Sequence, residues 1–485
     1  MDRRAFMRIS ATASVAAAGG VAPIVGQASA AEEGVKASGA AEDVTKSLAN
    51  YVVKARFEDF PDRVRKEVGR SLLNWMGVTV GGSRHRTVDI AISAVQPFAG
   101  PQQASLFGRR ERLDIMNAAL INGISSHVLD FDDTDLKTAV HPSAPVLPAL
   151  LAMAEHQPIN GRDFVTAVVM GFEAECRIAR AVQPAFGDIG WHATGAAGVF
   201  GAAVATGRIL GLDEERMCHA IGLAATQPVG IREMFGSMTK SFHPGRAAQN
   251  GMLAAFLAEK GFTSSLQGIE AKRGWANLVS TEHDLSIITD GLGDSFEIYR
   301  NTYKPYACGL VIHPVIDGCI QLRNEYKLTA DQVERIDVDI HPIVMELTAK
   351  RNPKTGLEGK FSVFYVAALA ITAGKAGEGQ FTDQAVAEPA VMALQQRVTA
   401  SIDKSVREDQ ARIKIRLKDG RVLERFIAHV IGSVENPISD AGLQEKFSDL
   451  CGGLLSADRM HRLADLCRAP EKLEDTGDIG RAAAA

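Results

Sequence analysis

The 485-residue chain is 46% hydrophobic, 23% charged and 6% aromatic, with a formal net charge of −5. A chain of this length exceeds what one simple core fills, so two domains are expected. The acidic balance and the lack of a long basic run exclude a nucleic-acid partner, which needs a cationic face. The six cysteines, Cys176, Cys218, Cys308, Cys319, Cys451 and Cys467, are scattered without a CxxC pair. That speaks against a zinc ribbon or thioredoxin-type site, and they read as small buried hydrophobes.

Residues 1–30 read as an address. Arg3 and Arg4 precede a weakly apolar Ala/Val/Gly stretch that ends in Ala28-Ser29-Ala30, a small-residue cleavage site. The pattern resembles a twin-arginine signal, which implies a periplasmic protein. No later stretch has the roughly 20 apolar residues of a membrane span, so no membrane partner is expected after signal removal. Residues 31–44 read as a linker. Helical patterning begins near Thr45; beyond Pro61, the residues Val64, Val68, Leu72, Trp75 and Met76 recur at helical spacing. Further helices are expected over 114–127, 144–156, 162–183, 195–210, 213–225, 246–260 and 264–271. Gly195, Gly198 and Gly201 share a helical face, where their small size points to a closely packed neighbour.

The character changes near 285. Ile336-Asp337-Val338-Asp339-Ile340 and Ile413-Lys414-Ile415-Arg416-Leu417 alternate as half-buried strands. Asp419-Gly420 then turns the second into Val422-Leu423, a hairpin signal. Helices are expected over 361–374 and 386–398, and again over 439–468. The resulting fold class is multi-domain α and α+β. A large all-helical domain spans 45–285 and 431–468, a smaller α+β lid domain spans 286–430, and a disordered tail covers 469–485.

Five constellations could carry chemistry. The first is Ser126-His127-Val128-Leu129-Asp130-Phe131-Asp132-Asp133-Thr134, followed by His141-Pro142-Ser143. Aspartates crowded over 130–135 repel one another unless compensated. They are compatible with a solvated acidic helix end, with a metal site, or with the Asp-x-Asp-Asp box of a class II terpene cyclase. Scarce aromatics disfavour the last, since such cavities stabilise carbocations on aromatic faces. The second is Gly190-Trp191-His192-Ala193-Thr194-Gly195, where a helix N-terminus disfavours protonation of His192. The third, Met238-Thr239-Lys240-Ser241-Phe242-His243-Pro244-Gly245-Arg246, gathers Lys240, His243 and Arg246 before an apolar helix, a place for a carboxylate. The fourth is Tyr303-Lys304-Pro305-Tyr306-Ala307-Cys308-Gly309, with His313 beyond. The fifth, Gly359-Lys360-Phe361-Ser362-Val363-Phe364-Tyr365, leads into an Ala-rich helix. Read alone, each has a bland alternative: a capping or core histidine, a basic surface turn, a surface lysine, a core tyrosine. There is no dinucleotide fingerprint, P-loop, Gly-x-Ser-x-Gly elbow or His-Glu-x-x-His. A set of His, Asp, Lys and Tyr fits acid–base work on an anion.

In this order the five segments resemble the MmgE/PrpD family, whose members include 2-methylcitrate dehydratase, cis-aconitate decarboxylase and iminodisuccinate epimerase. The resemblance covers about residues 45–465. It implies a helical domain with an α+β lid, a site between them, a homodimer, and neither metal nor cofactor. The implied site residues are Asp130, Thr134, His141, His192, Lys240, Lys304 and Tyr365, with His243 and Arg246 added for substrate binding. In the roles assigned here, Lys240 and Lys304 bind carboxylates. His141 or His192 takes the proton beside a carboxylate, and the other His, or Tyr365, protonates the leaving group. Asp130 orients His141. The implied function is that of a hydro-lyase on a small di- or tricarboxylic acid, with epimerase and decarboxylase as variants. A non-catalytic organic-acid-binding protein is the alternative from another class. One departure weakens the decarboxylase reading: cis-aconitate decarboxylases carry a His a few residues after the Lys of the fourth segment, where this chain reads Ala307-Cys308-Gly309.

Overall fold

A computed structural model describes residues 43–485; the signal expected over 1–30, and the linker as far as residue 42, lie outside the described residues. The larger part is a stack of helices. Val64, Val68, Leu72, Trp75 and Met76 of the Asp62–Gly82 helix are all fully buried, as their spacing predicts. On it pack Ile115–His127, Ser143–His156 and Gly161–Val182, and on these in turn Ala193–Ile209 and Thr239–Glu259. The glycine face is a close-approach surface: a Cβ on Gly195 would lie 2.2 Å from the Val229 carbonyl, and one on Gly201 3.0 Å from that of Gly171. Among the described residues no helix is long and apolar enough to cross a membrane.

The smaller part is a four-stranded sheet ordered Val398–Ile402, Val333–Ile340, Ala411–Leu417 and Val422–Ile427. The first pair is parallel and the others are antiparallel. Ile336, Val338 and Ile340 are buried while Asp337 and Asp339 are half-buried, so the alternation sets one face inward. On that face lies the His313–Tyr326 helix, so close at Gly318 that a Cβ there would meet Ile413 at 2.4 Å. The Val363–Ala373 helix packs beside it.

The structure departs from the sequence reading in four places. Residues 264–271 form turns rather than a helix. There the Ser264 amide donates to His219 Nδ1 (3.1 Å) and the Gln267 amide to Ser265 Oγ (3.2 Å), local bonds that compete with a helix. The stretch 386–398 is broken, because Glu388 before Pro389 is held extended, and a strand follows at Val398. Residues 286–303 belong to the helical core and not to the lid: Ile288, Phe296, Ile298 and Tyr303 are buried in it. Buried Arg177 also donates to the Asp290 and Ser295 carbonyls. The tail is ordered. Gly477–Ala483 is helical with Ile479 and Ala483 fully buried, and the Thr476 amide donates to the Ile159 carbonyl at 2.8 Å. Docking on the helical core, rather than any period of its own, orders it. The helices Asp440–Cys451 and Ala457–Arg468 bury Leu443, Phe447, Leu463 and Cys467 in that same core. All six cysteines are buried and free.

Candidate active site

The Ile115–His127 helix, capped by Asp114, ends at the first constellation. Three residues on, Asp130 takes a left-handed backbone (φ +52°), a region that Asp enters more readily than most residues. Thr134–Asp135 then pairs antiparallel with Asn301–Thr302, Thr134 opposite Thr302. This two-residue ladder brings Lys304 beside Asp130. Lys240 arrives from the first turn of the Thr239–Glu259 helix. Asp130 Oδ1 accepts from Lys240 Nζ at 2.6 Å and from Lys304 Nζ at 2.8 Å. Burial pushes the Asp130 carboxyl up, but the two ammonium groups outweigh it and hold it well below the usual carboxylate range. Burial in turn lowers Lys240.

The other aspartates are buried rather than solvated, and Asp132 and Asp133 each have partners of their own. Asp132 Oδ2 lies 2.7 Å from His127 Nδ1, and Asp133 Oδ2 accepts from Ser143 Oγ (2.5 Å) and Asn301 Nδ2 (2.6 Å). Burial raises Asp133 to about 7 and Asp135 to about 6.

His141 Nδ1 lies 2.7 Å from the Asp133 carbonyl, 3.2 Å from Thr134 Oγ1 and 3.5 Å from Asp132 Oδ2. A carbonyl only accepts, so Nδ1 carries the proton and Nε2 keeps its lone pair. Burial outweighs Asp132 and holds His141 well below its ordinary value, hence neutral. His192 precedes the Ala193–Ile209 helix, and its Nδ1 meets His243 Nδ1 at 2.9 Å. Burial lowers His192 strongly, and His243 to about 4.

Asp130, Thr134, His141, His192, Lys240 and Lys304 line one cavity of about 720 Å³. His243 supports it through His192. Two expected residues do not join it. Tyr365 is fully buried in the sheet-side core, its hydroxyl donating to the Gln380 carbonyl at 2.5 Å. Arg246 is exposed and bonds Gln249, because the helix starts at Thr239 and its turn carries Lys240 and His243 inward but residue 246 outward. Asp130 also does not orient His141; it bridges the lysines, and the carboxylate nearer His141 is Asp132.

Sequence reasoning missed four residues. His127 stacks on His192 with ring centroids 5.7 Å apart, and its Nε2 is buried without a partner. With Asp132 it stood inside the first constellation, so a signal existed. Lys360, of the fifth, is buried and bonds the Leu129 carbonyl and Glu378. Lys446 carried no signal. It donates to Asn74 Oδ1, the Phe131 carbonyl and the Lys304 carbonyl at 2.8, 2.6 and 2.9 Å, and lies 3.7 Å over the Phe131 ring. One ligand atom each from His127, His141 and His192, or from Asp130, Asp132 and His141, lies within 4.8 Å of the others, as a metal ion would require. Lys240 and Lys304 stand beside these groups, and both bond Asp130.

The models of the MmgE/PrpD N-terminal and C-terminal domains match residues 46–288 and 306–469. The chain belongs to the MmgE/PrpD family. Among its MmgE/PrpD relatives, the cis-aconitate decarboxylase-like protein oryM of Aspergillus oryzae is 26% identical over 467 residues, covering 90% of this chain and 96% of that protein. The cis-aconitate decarboxylase of Aspergillus terreus is 25% identical over 474 residues, covering 91% and 96%. That of Homo sapiens is 25% identical over 452 residues, covering 90% and 93%.

Proposed function

We propose that this MmgE/PrpD protein is a cofactor-independent lyase acting on a small di- or tricarboxylic acid, with dehydration as its reaction. The observation that carries the reading is the pairing of a neutral histidine with two cations in one cavity. His141 Nε2 takes the proton from the carbon beside a carboxylate. Lys240 and Lys304 hold that carboxylate and the charge that develops on it. The electron pair left behind forms the alkene as the bond to the hydroxyl breaks. The hydroxyl departs as water with a proton from His192 Nε2, whose Nδ1 accepts from His243 Nδ1–H in this assignment. A binding protein would need the lysines but not two neutral imidazoles.

Decarboxylation is the second reading, favoured by the names of the relatives. In it a carboxylate leaves as carbon dioxide and the bonding pair takes up a proton. Against it, the family resemblance implies a His a few residues after Lys304, where this chain reads Ala307-Cys308-Gly309, and a Gly has no proton to give. The paired arginines and Ala28-Ser29-Ala30 support export, and family resemblance supports a homodimer; fractionation and light scattering test these two.

The deciding experiment incubates the protein with a panel of hydroxylated and unsaturated di- and tricarboxylic acids in D₂O, followed by mass and proton NMR. Loss of water establishes the dehydratase, and loss of carbon dioxide the decarboxylase. Deuterium incorporation with inversion at that carbon and no loss establishes an epimerase, and no change on any acid overturns the enzyme reading.

A further inference from the structure

The cavity is larger and more apolar than a small polycarboxylate requires. At about 30 Å³ per water molecule in the liquid, its 720 Å³ corresponds to roughly two dozen water-sized places. That is about twice the number of non-hydrogen atoms in a six-carbon tricarboxylic acid, each of which needs less room than a water. The wall from the helical body supplies the ionisable groups Asp130, His141, His192 and Lys240, joined by Lys304. Apolar lining comes from both sides: Leu136 and Phe235 from the helical body, and Leu310, Val311, Ile343 and Leu347 from the lid side, where they neighbour the charged Arg407, Glu408, Asp409 and Glu435; all six apolar residues are half-buried. The exposed Arg407 on the lid side is paired with Asp409. Arg232 also lines the cavity, half-buried, its guanidinium lying against Gly187 and, among the described residues, in no ion pair.

We propose that the substrate carries an apolar alkyl substituent of several carbons besides its carboxylates. The chain lies on Leu310, Val311, Ile343 and Leu347, one carboxylate sits at Lys240 and Lys304, and a second is held by Arg232. This rests on the lyase reading for the reaction but not for the binding. Unfilled, those side chains leave apolar surface in water; filled by a chain, each methylene buried strengthens binding about fourfold.

The test measures binding of saturated, unreactive probes to the full chain by calorimetry: succinate, then methyl-, butyl- and hexylsuccinate. Affinity rises about fourfold per methylene up to the butyl compound, and Ile343→Asn and Leu347→Asn each flatten that slope. The slope is a ratio within one preparation, so a misfolded fraction leaves it unchanged. Arg232→Gln weakens every dicarboxylate probe about equally and leaves the slope. Affinity that is flat or falls with chain length overturns the proposal. Turnover of unsubstituted acids together with such a flat slope keeps the lyase and removes the alkyl chain. A rising slope without turnover of any acid keeps the chain site and removes the lyase.

Discussion

Replacing Asp130 with Asn keeps the shape of the side chain and removes the charge that the two lysines share. Both Nζ atoms bond the same oxygen, at 2.6 and 2.8 Å, so laid end to end the two bonds put them no more than about 5.4 Å apart. At that separation two unit charges repel by about 3 kcal/mol with an effective dielectric near 20. Removing one partner from a buried ion pair costs roughly 3–5 kcal/mol. At about 2 °C per kcal/mol for a large domain, D130N melts roughly 6–10 °C lower. Lys240, already lowered by burial, is pushed further down by its unscreened neighbour, so positive charge is shed as pH rises. KM for the carboxylic acid identified by the panel therefore climbs from neutral to alkaline pH in D130N and not in the parent enzyme. Thermal melts and KM measured across that range decide it. A melting point within about 2 °C of the parent, together with superimposable KM profiles, would refute the bridging role.

His141→Gln removes the proposed base and lowers kcat by about 10²–10⁴-fold, with KM changed far less; an unchanged kcat sinks the assignment. Because burial keeps His141 neutral below its ordinary value of 6.5, kcat/KM holds its plateau as pH falls through 6.5 and declines only well below it. An acid limb centred at 6.5 would contradict this. The Asp133 carboxyl, raised to about 7 from 3.8, binds its proton more tightly when folded. Its contribution is thus fully present below the unfolded value and lost as pH rises through about 7. Asp133→Asn mimics the protonated form, so relative to the parent it gains stability, roughly 2–4 kcal/mol, between acid and mildly alkaline pH; urea titrations at both ends show whether the gap widens. Lys446→Met leaves three buried acceptors without their donor. It lowers stability by roughly 3 kcal/mol and reduces kcat along with it, whereas a loss of stability with kcat intact would detach Lys446 from the site.

The helices of the larger domain were legible because their apolar residues recur at one period, as at Val64, Val68 and Leu72. The hairpin was legible because Asp419-Gly420 sits between two alternating runs. The strand Val398–Ile402 was not, because a parallel partner lies far away in sequence and no turn announces it. In the site, local composition marked the segments holding Asp130, His141, His192, Lys240 and Lys304, but it was the family resemblance that singled those residues out. Their pairing could be read from neither: which aspartate meets which cation depends on the left-handed turn at Asp130 and the Thr134–Thr302 ladder, both tertiary facts. Tyr365 misled for a related reason, since its helix is apolar on every side and only packing decides where a hydroxyl ends up. Lys446 was invisible because a lysine on an ordinary surface helix and one driven into the core read alike.

The threefold anchorage of Lys446 also sets an order of events. Its partners are the side chain of Asn74 and the backbone at Phe131 and Lys304, which a ribosome delivers long before residue 446. The contacts span 372, 315 and 142 residues, separations at which chain closure is slow and comes late. Until the final helices are made and dock, those three acceptors lack their donor and the helical core lacks Phe447 and Leu463, so the last part of the chain completes the core and the backbone beside the lysine–aspartate cluster together.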